Sequence, residues 1–184
     1  MSLPEISTDG WDSISVVAGH GLCEDCGEGG VPTYYGEDTD VNNIKDHGSG
    51  EGLAASYIAS GDGVTCGDGN GVVVDIDLVD RYRMDAVDID LAHDTNEISH
   101  FKCEYWDGAS WQTPSGWDQS GGSYDGVQNL TVGTPFITTK IRVSVIENNC
   151  CDSGECNMLY QVKIYGVPLI PILSGYYNRQ RRET

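Results

Sequence analysis

The chain has 184 residues, with 29 acidic against 10 basic side chains, a formal charge of −19, and glycine at 24 positions. That length buries a sizeable core in one domain, and 39% apolar residues set it apart from a disordered acidic tail. The charge excludes a nucleic-acid binder, no apolar run approaches the roughly 18 residues of a membrane span, and Met1-Ser2-Leu3-Pro4-Glu5 has neither the basic nor the apolar part of a secretory signal.

Val (16) and Ile (13) outnumber Leu (9), and no segment repeats apolar residues at helical spacing. Short alternating runs broken by Gly, Asp, Asn and Ser predict strands and almost no helix. Residues 1–71 hold 15 of the 24 glycines and 13 acids against the single cation Lys45. They read as the loop-rich N-terminal part of the same sandwich, with weak strands at 14–17 and 57–59. Residues 72–167 read as the core, with strands at 72–78, 87–91, 98–105, 128–132, 137–146 and 159–165. The stretch 114–126 reads as a Gly/Ser-rich loop. This spacing predicts an all-β, two-sheet antiparallel sandwich. If 72–78 and 87–91 pair as a hairpin with apolar faces aligned, Asp77 opposes Asp88 and Asp75 opposes Asp90, which is destabilising. Either those strands are not partners or cations relieve them, the tail arginines of a neighbouring copy being one source.

Residues 168–184 change character. Seven cations against 28 acids give −21 over residues 1–175, whereas residues 176–184 carry +2. Tyr176, Tyr177, Arg179, Arg181 and Arg182 are aromatic and cationic in the manner of interface anchors, so this segment reads as an assembly arm.

Several pieces, in order, resemble the galactose-binding-like jelly roll of discoidin (factor V/VIII type C) domains and related carbohydrate-binding modules. They are Val74-Asp75-Ile76-Asp77-Leu78, the strand from Met84 to Leu91, Phe101 through Trp106-Asp107-Gly108 to Trp111, Thr138 to Val143, and Tyr160 to Gly166. The resemblance covers about half the chain and implies a jelly roll. It also implies a structural calcium in the loop before the Ile-Asp-Leu strand. Asp38, Asp40, Asn42 and Asp46 supply alternating oxygen donors there. Two features depart from that expectation: Ser49 stands where an EF-hand loop needs its bidentate Glu, and Gln161 occupies the closing-strand position usually held by a carboxylate. The competing reading is turn aspartates capping their own backbone.

Of seven cysteines, Cys23, Cys26, Cys66, Cys150, Cys151 and Cys156 are disulfide candidates in polar loops, while Cys103 reads as a small buried hydrophobe within a strand. A four-thiolate zinc site using Cys23 and Cys26 is the rival, weakened by the spacing of the later cysteines. His20, His47, His93 and His100 are scattered and no catalytic motif occurs, so no enzyme is expected. Sugar binding would use Tyr34, Tyr35, Trp117 and Tyr124 as loop-tip aromatics beside Asp118, Gln119 and Asp125. The alternative is that these rings fold back over the end of the sandwich. Trp106 and Trp111 read as packing groups.

The expected function is a non-enzymatic structural and binding subunit of a large extracellular or virion assembly, of the phage or virus decoration or fibre type. Its partners are other copies or particle subunits, reached through the arm, and cell-surface glycans. It has no membrane insertion. The alternative is a secreted, free-standing lectin-like module with structural calcium.

Overall fold

In the computed structural model the described residues are 3–17, 41–45, 53–54, 59–60, 63–64, 72–91, 98–148 and 158–169. Among the described residues ten strands run in chain order: β1 Trp11–Val16, β2 Leu53–Ala54, β3 Ala59–Ser60, β4 Gly63–Val64, β5 Val72–Leu91, β6 Ile98–Trp106, β7 Trp111–Gln112, β8 Asp118–Tyr124, β9 Gly126–Asn148 and β10 Met158–Pro168. Two 3-10 turns, Thr8–Gly10 and Val41–Lys45, complete the assigned elements, and no α-helix occurs among the described residues. Among the described residues no helix is long and apolar enough to cross a membrane.

All the pairings are antiparallel, and the chain is a β-sandwich whose two layers share their longest strands. One layer runs β1, the first half of β5, the second half of β9, and β6, with β7 and β8 both on the far side of β6. The other runs β2, β10, the second half of β5 and the first half of β9. A strand can serve both layers only if its inward face changes parity at the corner, because side chains alternate with period two.

The sequence shows this change. In β5 the side chains that join the core cluster are Val74, Ile76, Leu78, Tyr82 and Met84, all even, and then Val87, Ile89 and Leu91, all odd. Register shifts fall between Asp77 and Tyr82 and between Met84 and Ala86, so bulges absorb the slip. In β9 the side chains of the core cluster pass from Leu130, even, to Ile141, Val143 and Val145, all odd. Residues 132–135 bulge out between the rungs Thr131–Ala86 and Phe136–Met84, and Pro135 is tolerated there because that stretch has no rung with β5. Thr138 fastens the second corner: its hydroxyl bonds the Trp106 carbonyl at 2.8 Å and takes the Lys140 N–H at 3.0 Å.

Two expectations are corrected. The runs 72–78 and 87–91 are one continuous strand, so the Asp77/Asp88 and Asp75/Asp90 oppositions do not arise. Asp75 lies across from Arg142, Asp77 from Lys140, and Asp88 from Asn129 on one side and Lys163 on the other. The second correction is the 114–126 loop, most of which is β8. Its glycines hid it, and one of them fits its place closely: a Cβ on Gly122 would run into the Tyr124 ring as it now packs.

The core between the layers is apolar, with Ile44, Ile76, Met84, Ile89, Phe101, Ile141 and Ile164 among its fully buried side chains. Burying each large one contributes roughly 1.5–3 kcal/mol. Ile44 and the contacts of its 3-10 turn tie residues 41–45 to β10 and β1.

Candidate functional site

Among the described residues, a surface crevice lies where the layers part, between the turn leading into β8 and the first half of β9. The turn is built locally. Trp117 N–H bonds the Pro114 carbonyl at 3.0 Å, and Gly116 takes a φ of 84° that other side chains rarely adopt. Trp117 then anchors the turn. Its ring is 1% exposed, meets Phe136 edge-on at 5.5 Å, and its Nε1 donates to the Thr131 carbonyl at 3.3 Å. The Trp117 carbonyl in turn accepts from Cys103 N–H at 2.9 Å. Trp117 is therefore a core residue, and the expectation of a sugar-stacking platform at this position is corrected. An indole with its N–H satisfied internally gains more from burial than from waiting in solvent for a ligand.

Between this anchored turn and β9 is a crevice of about 310 Å³. Phe101 and Leu130, both buried, form its apolar floor. Ser115, Gly116 and Gln119 line one wall, and Gln128, Asn129 and Thr131 the other. None of these residues is ionisable, although the whole chain carries −19. The crevice is a neutral, amide- and hydroxyl-lined slot with an apolar base.

Each amide is held. Gln119 Nε2 donates to the Gly116 carbonyl at 2.5 Å, and Tyr124 OH reaches Gln119 Oε1 at 3.4 Å. Gln128 Nε2 donates to the Asp125 carbonyl at 2.6 Å and to that of Gly126 at 3.4 Å. Asn129 Nδ2 donates to Asp88 Oδ1 at 2.7 Å, while Tyr165 OH donates to Asp88 Oδ2 at 2.6 Å. That second bond and the carboxylate charge stabilise the neutral phenol, raising the Tyr165 pKa to about 12. Asn129, Asp88 and Tyr165 thus form a row across three strands.

The other expected ligand residues are placed as follows. Tyr124 is half-buried against Phe101, edge-on at 5.1 Å, so it supports the floor of the crevice. Asp118 is exposed and bonds His100 Nε2 at 2.8 Å. Asp125 is exposed and enters only through its carbonyl. Tyr34 and Tyr35 lie outside the described residues, as do Asp38, Asp40 and Asp46, the six disulfide candidates and the whole set from Tyr176 to Arg182. Asn42 is exposed in its 3-10 turn, and Cys103 is buried as a free thiol. No three metal-binding His, Cys, Asp or Glu side chains converge among the described residues.

A second aromatic feature lies on the outer face. Trp106 and Trp111 are half-buried and meet edge-on at 5.5 Å across the β6–β7 hairpin. The hairpin closes through Asp107, whose Oδ1 accepts from Ala109 N–H at 2.8 Å and Ser110 N–H at 2.9 Å. Those bonds hold its carboxyl below the usual range. One face of Trp111 is covered by the Arg142 guanidinium at 4.2 Å. Each ring thus packs against its neighbour while keeping part of its surface exposed, and neither joins the buried core.

Against known proteins, no family model and no curated protein matches the sequence. Solved structures do match. The family 32 carbohydrate-binding module of Clostridium perfringens NanJ, solved with galactose, has a TM-score of 0.59 at 10% identity, covering 90% of this chain and 99% of that one. The fold is the galactose-binding-like jelly roll. The same jelly roll is matched by the C-terminal domain of a Bacteroides fragilis chitobiase, with a TM-score of 0.55 at 12% identity and coverages of 90% and 99%. A chitosan-binding module from a Paenibacillus chitosanase/glucanase gives 0.53 at 13% identity, covering 71% of this chain and 88% of that one. At these identities the likeness concerns the jelly roll itself and transfers no binding residue.

Proposed function

We propose that the protein is a non-catalytic saccharide-binding jelly roll that works outside the cell and holds its ligand in the crevice between the β8 turn and the first half of β9. The observation that carries this reading is the lining: amides and hydroxyls over an apolar floor, with no ionisable side chain, in a strongly acidic chain. Such a lining matches a ring that is apolar on its faces and hydroxylated at its edge, and it offers no acid–base pair for hydrolysis. The jelly rolls it resembles include a module solved in complex with galactose and one named for binding chitosan, which supports the class of ligand without fixing its member.

A glycan-binding screen tests this, comparing the native chain with Gln128→Ala and Asn129→Ala variants whose folding is checked by circular dichroism. The reading requires saccharide binding that both variants weaken by about tenfold or more, the loss of one or two good hydrogen bonds. Binding that survives both changes unaltered overturns it.

A structural calcium on the segment holding Asp38, Asp40, Asn42 and Asp46 belongs to the same proposal. It rests on the donor pattern of that segment, and a rise in melting temperature on adding calcium, reversed by chelator, is the result it requires. A second reading makes the module a displayed subunit of a larger, virion-type assembly. The charge split between residues 1–175 and the cationic tail favours it. Native mass spectrometry of the full chain and of a chain lacking residues 168–184 separates the two, because only the assembly reading requires oligomers that vanish with the tail.

A further inference from the structure

The register of β9, β5 and β10 lays out the outer face of the second layer rung by rung. Val127, Asp90 and Gln161 stand side by side at one end, and Ile137, Arg83 and Val167 at the other. From Asp90 to Arg83 is about 23 Å of strand. Large apolar side chains are exposed at four places among the described residues, and three of them, Val127, Ile137 and Leu169, lie on this face. Leu169 continues it just past β10, with its N–H bonded to the Arg81 carbonyl at 2.7 Å.

The two ends differ in charge. Elsewhere Lys102, Lys140 and Arg142 each grip an acid, and Lys163 stands across from Asp88. Arg81 and Arg83 are exposed, and neither side chain reaches an acid among the described residues. Two neighbouring arginines set among exposed aliphatic side chains, in a chain with 29 acids, mark a surface for something acidic and partly apolar. The opposite end has that chemistry. Val127 is 55% exposed there, and Asp125, two residues before it, is exposed too. On the rungs between, Asn129, Asp88 and Tyr165 satisfy one another.

We infer that this face docks a second copy of the chain, laid across it with the strands reversed. A twofold axis crossing the strands sets the cationic end of each copy on the acidic end of the other. Arg81 and Arg83 then meet Asp125, while Val127 meets Ile137 and Leu169, and the assembly closes at two. Charges more than about 8 Å apart are screened at physiological salt, so this local match outweighs the −19 on each copy. Aliphatic side chains beside arginine suit a protein surface, whereas a sugar calls for aromatic and amide groups. Three strands over about 23 Å is small against the ~800 Å² per partner of a firm dimer, so the association is weak, with a Kd on the order of 100 µM. Neither charged end lines the crevice, so this inference stands apart from the saccharide reading.

Sedimentation velocity of the full chain, from about 10 to about 500 µM at about 0.15 M salt, tests it. The mass is expected to rise from 19.9 kDa toward twice that and no further. Arg81→Glu combined with Arg83→Glu, and separately Asp125→Lys, are each expected to weaken association about tenfold or more and stay monomeric. Mixed in equal amounts, those two variants carry opposite charges at both contacts and are expected to recover the dimer. A native chain that stays monomeric to the top of the range overturns the inference. Association that both charge variants retain assigns it to another surface, such as the cationic tail, and overturns it as well. A mixture that remains monomeric, or a mass that climbs past two copies, contradicts the reversed stacking and does the same.

Discussion

Arg142 on β9 and Asp75 on β5 meet in a two-point ion pair, Nε to Oδ1 at 2.6 Å and Nη2 to Oδ2 at 2.8 Å, with the guanidinium lying 4.2 Å over the Trp111 ring. Three strands are joined by one planar group: β5 through Asp75, β9 through the arginine itself, and β7 through the indole. The pair raises the Arg142 pKa further above its already high value, chiefly through the Asp75 hydrogen bonds. A lysine can supply the charge but neither the fork nor the stacking plane. Arg142→Lys is accordingly expected to lower stability by about 1–2 kcal/mol, read as an earlier urea midpoint with an unchanged slope.

Trp117 and Trp111 give opposite results on truncation. Trp117→Ala empties a fully enclosed site and orphans the contact with Thr131, so a loss of about 3–5 kcal/mol is expected. Trp111→Ala removes a half-exposed ring and costs far less. Equal losses in equilibrium unfolding would contradict the burial assigned to Trp117.

Cys103 sits fully buried, and desolvation there pushes its thiol pKa well up. Thiolate is the reactive form, so the folded chain keeps this cysteine inert. Peptide mapping after iodoacetamide treatment at pH 8 is expected to show Cys103 unmodified under native conditions. Alkylation should appear with the same urea midpoint as global unfolding.

Much of this fold was legible from alternation alone, and the failures have particular causes. The strands at 72–78, 137–146 and 159–165 are visible because Val, Ile and Leu recur among polar residues, and that at 98–105 because Phe101, Cys103 and Tyr105 alternate with His100, Lys102 and Glu104. Continuity of β5 was not, because the inward face moves from Met84 to Val87 through a bulge, and a parity change looks like the end of one strand and the start of another. β8 was hidden by Ser120, Gly121, Gly122 and Ser123, although one of them, Gly122, leaves room for the Tyr124 ring packed against it. Half of the crevice could be seen, since Gln119 stands among residues recognised as suited to sugars. Gln128 and Asn129 could not, because only the fold brings that strand to face the Ser115–Gly116 turn. A weak signal was present: the run Gln128-Asn129-Leu130-Thr131 places polar groups on both faces of a strand, which an ordinary one-sided strand does not need.

Tyr165 gives the fold a dependence on alkaline pH. Its pKa is raised to about 12 from the usual value near 10. A raised folded-state value means the contribution is complete below pH 10 and is lost as pH climbs toward 12, when the phenol ionises beside Asp88. Unfolding curves between pH 9 and 12 are expected to show a decline that Tyr165→Phe lacks in part. Parallel curves for the two proteins would contradict the Tyr165–Asp88 bond.

The central claim is the place of binding, and side-chain amide resonances report it directly. In a two-dimensional proton–nitrogen spectrum of the full chain, titration with the tightest saccharide from the screen is expected to shift the NH2 pairs of Gln119, Gln128 and Asn129, with the Trp106 and Trp111 indole signals unmoved. Shifts confined to those two indoles, or to residues away from the crevice, would contradict it.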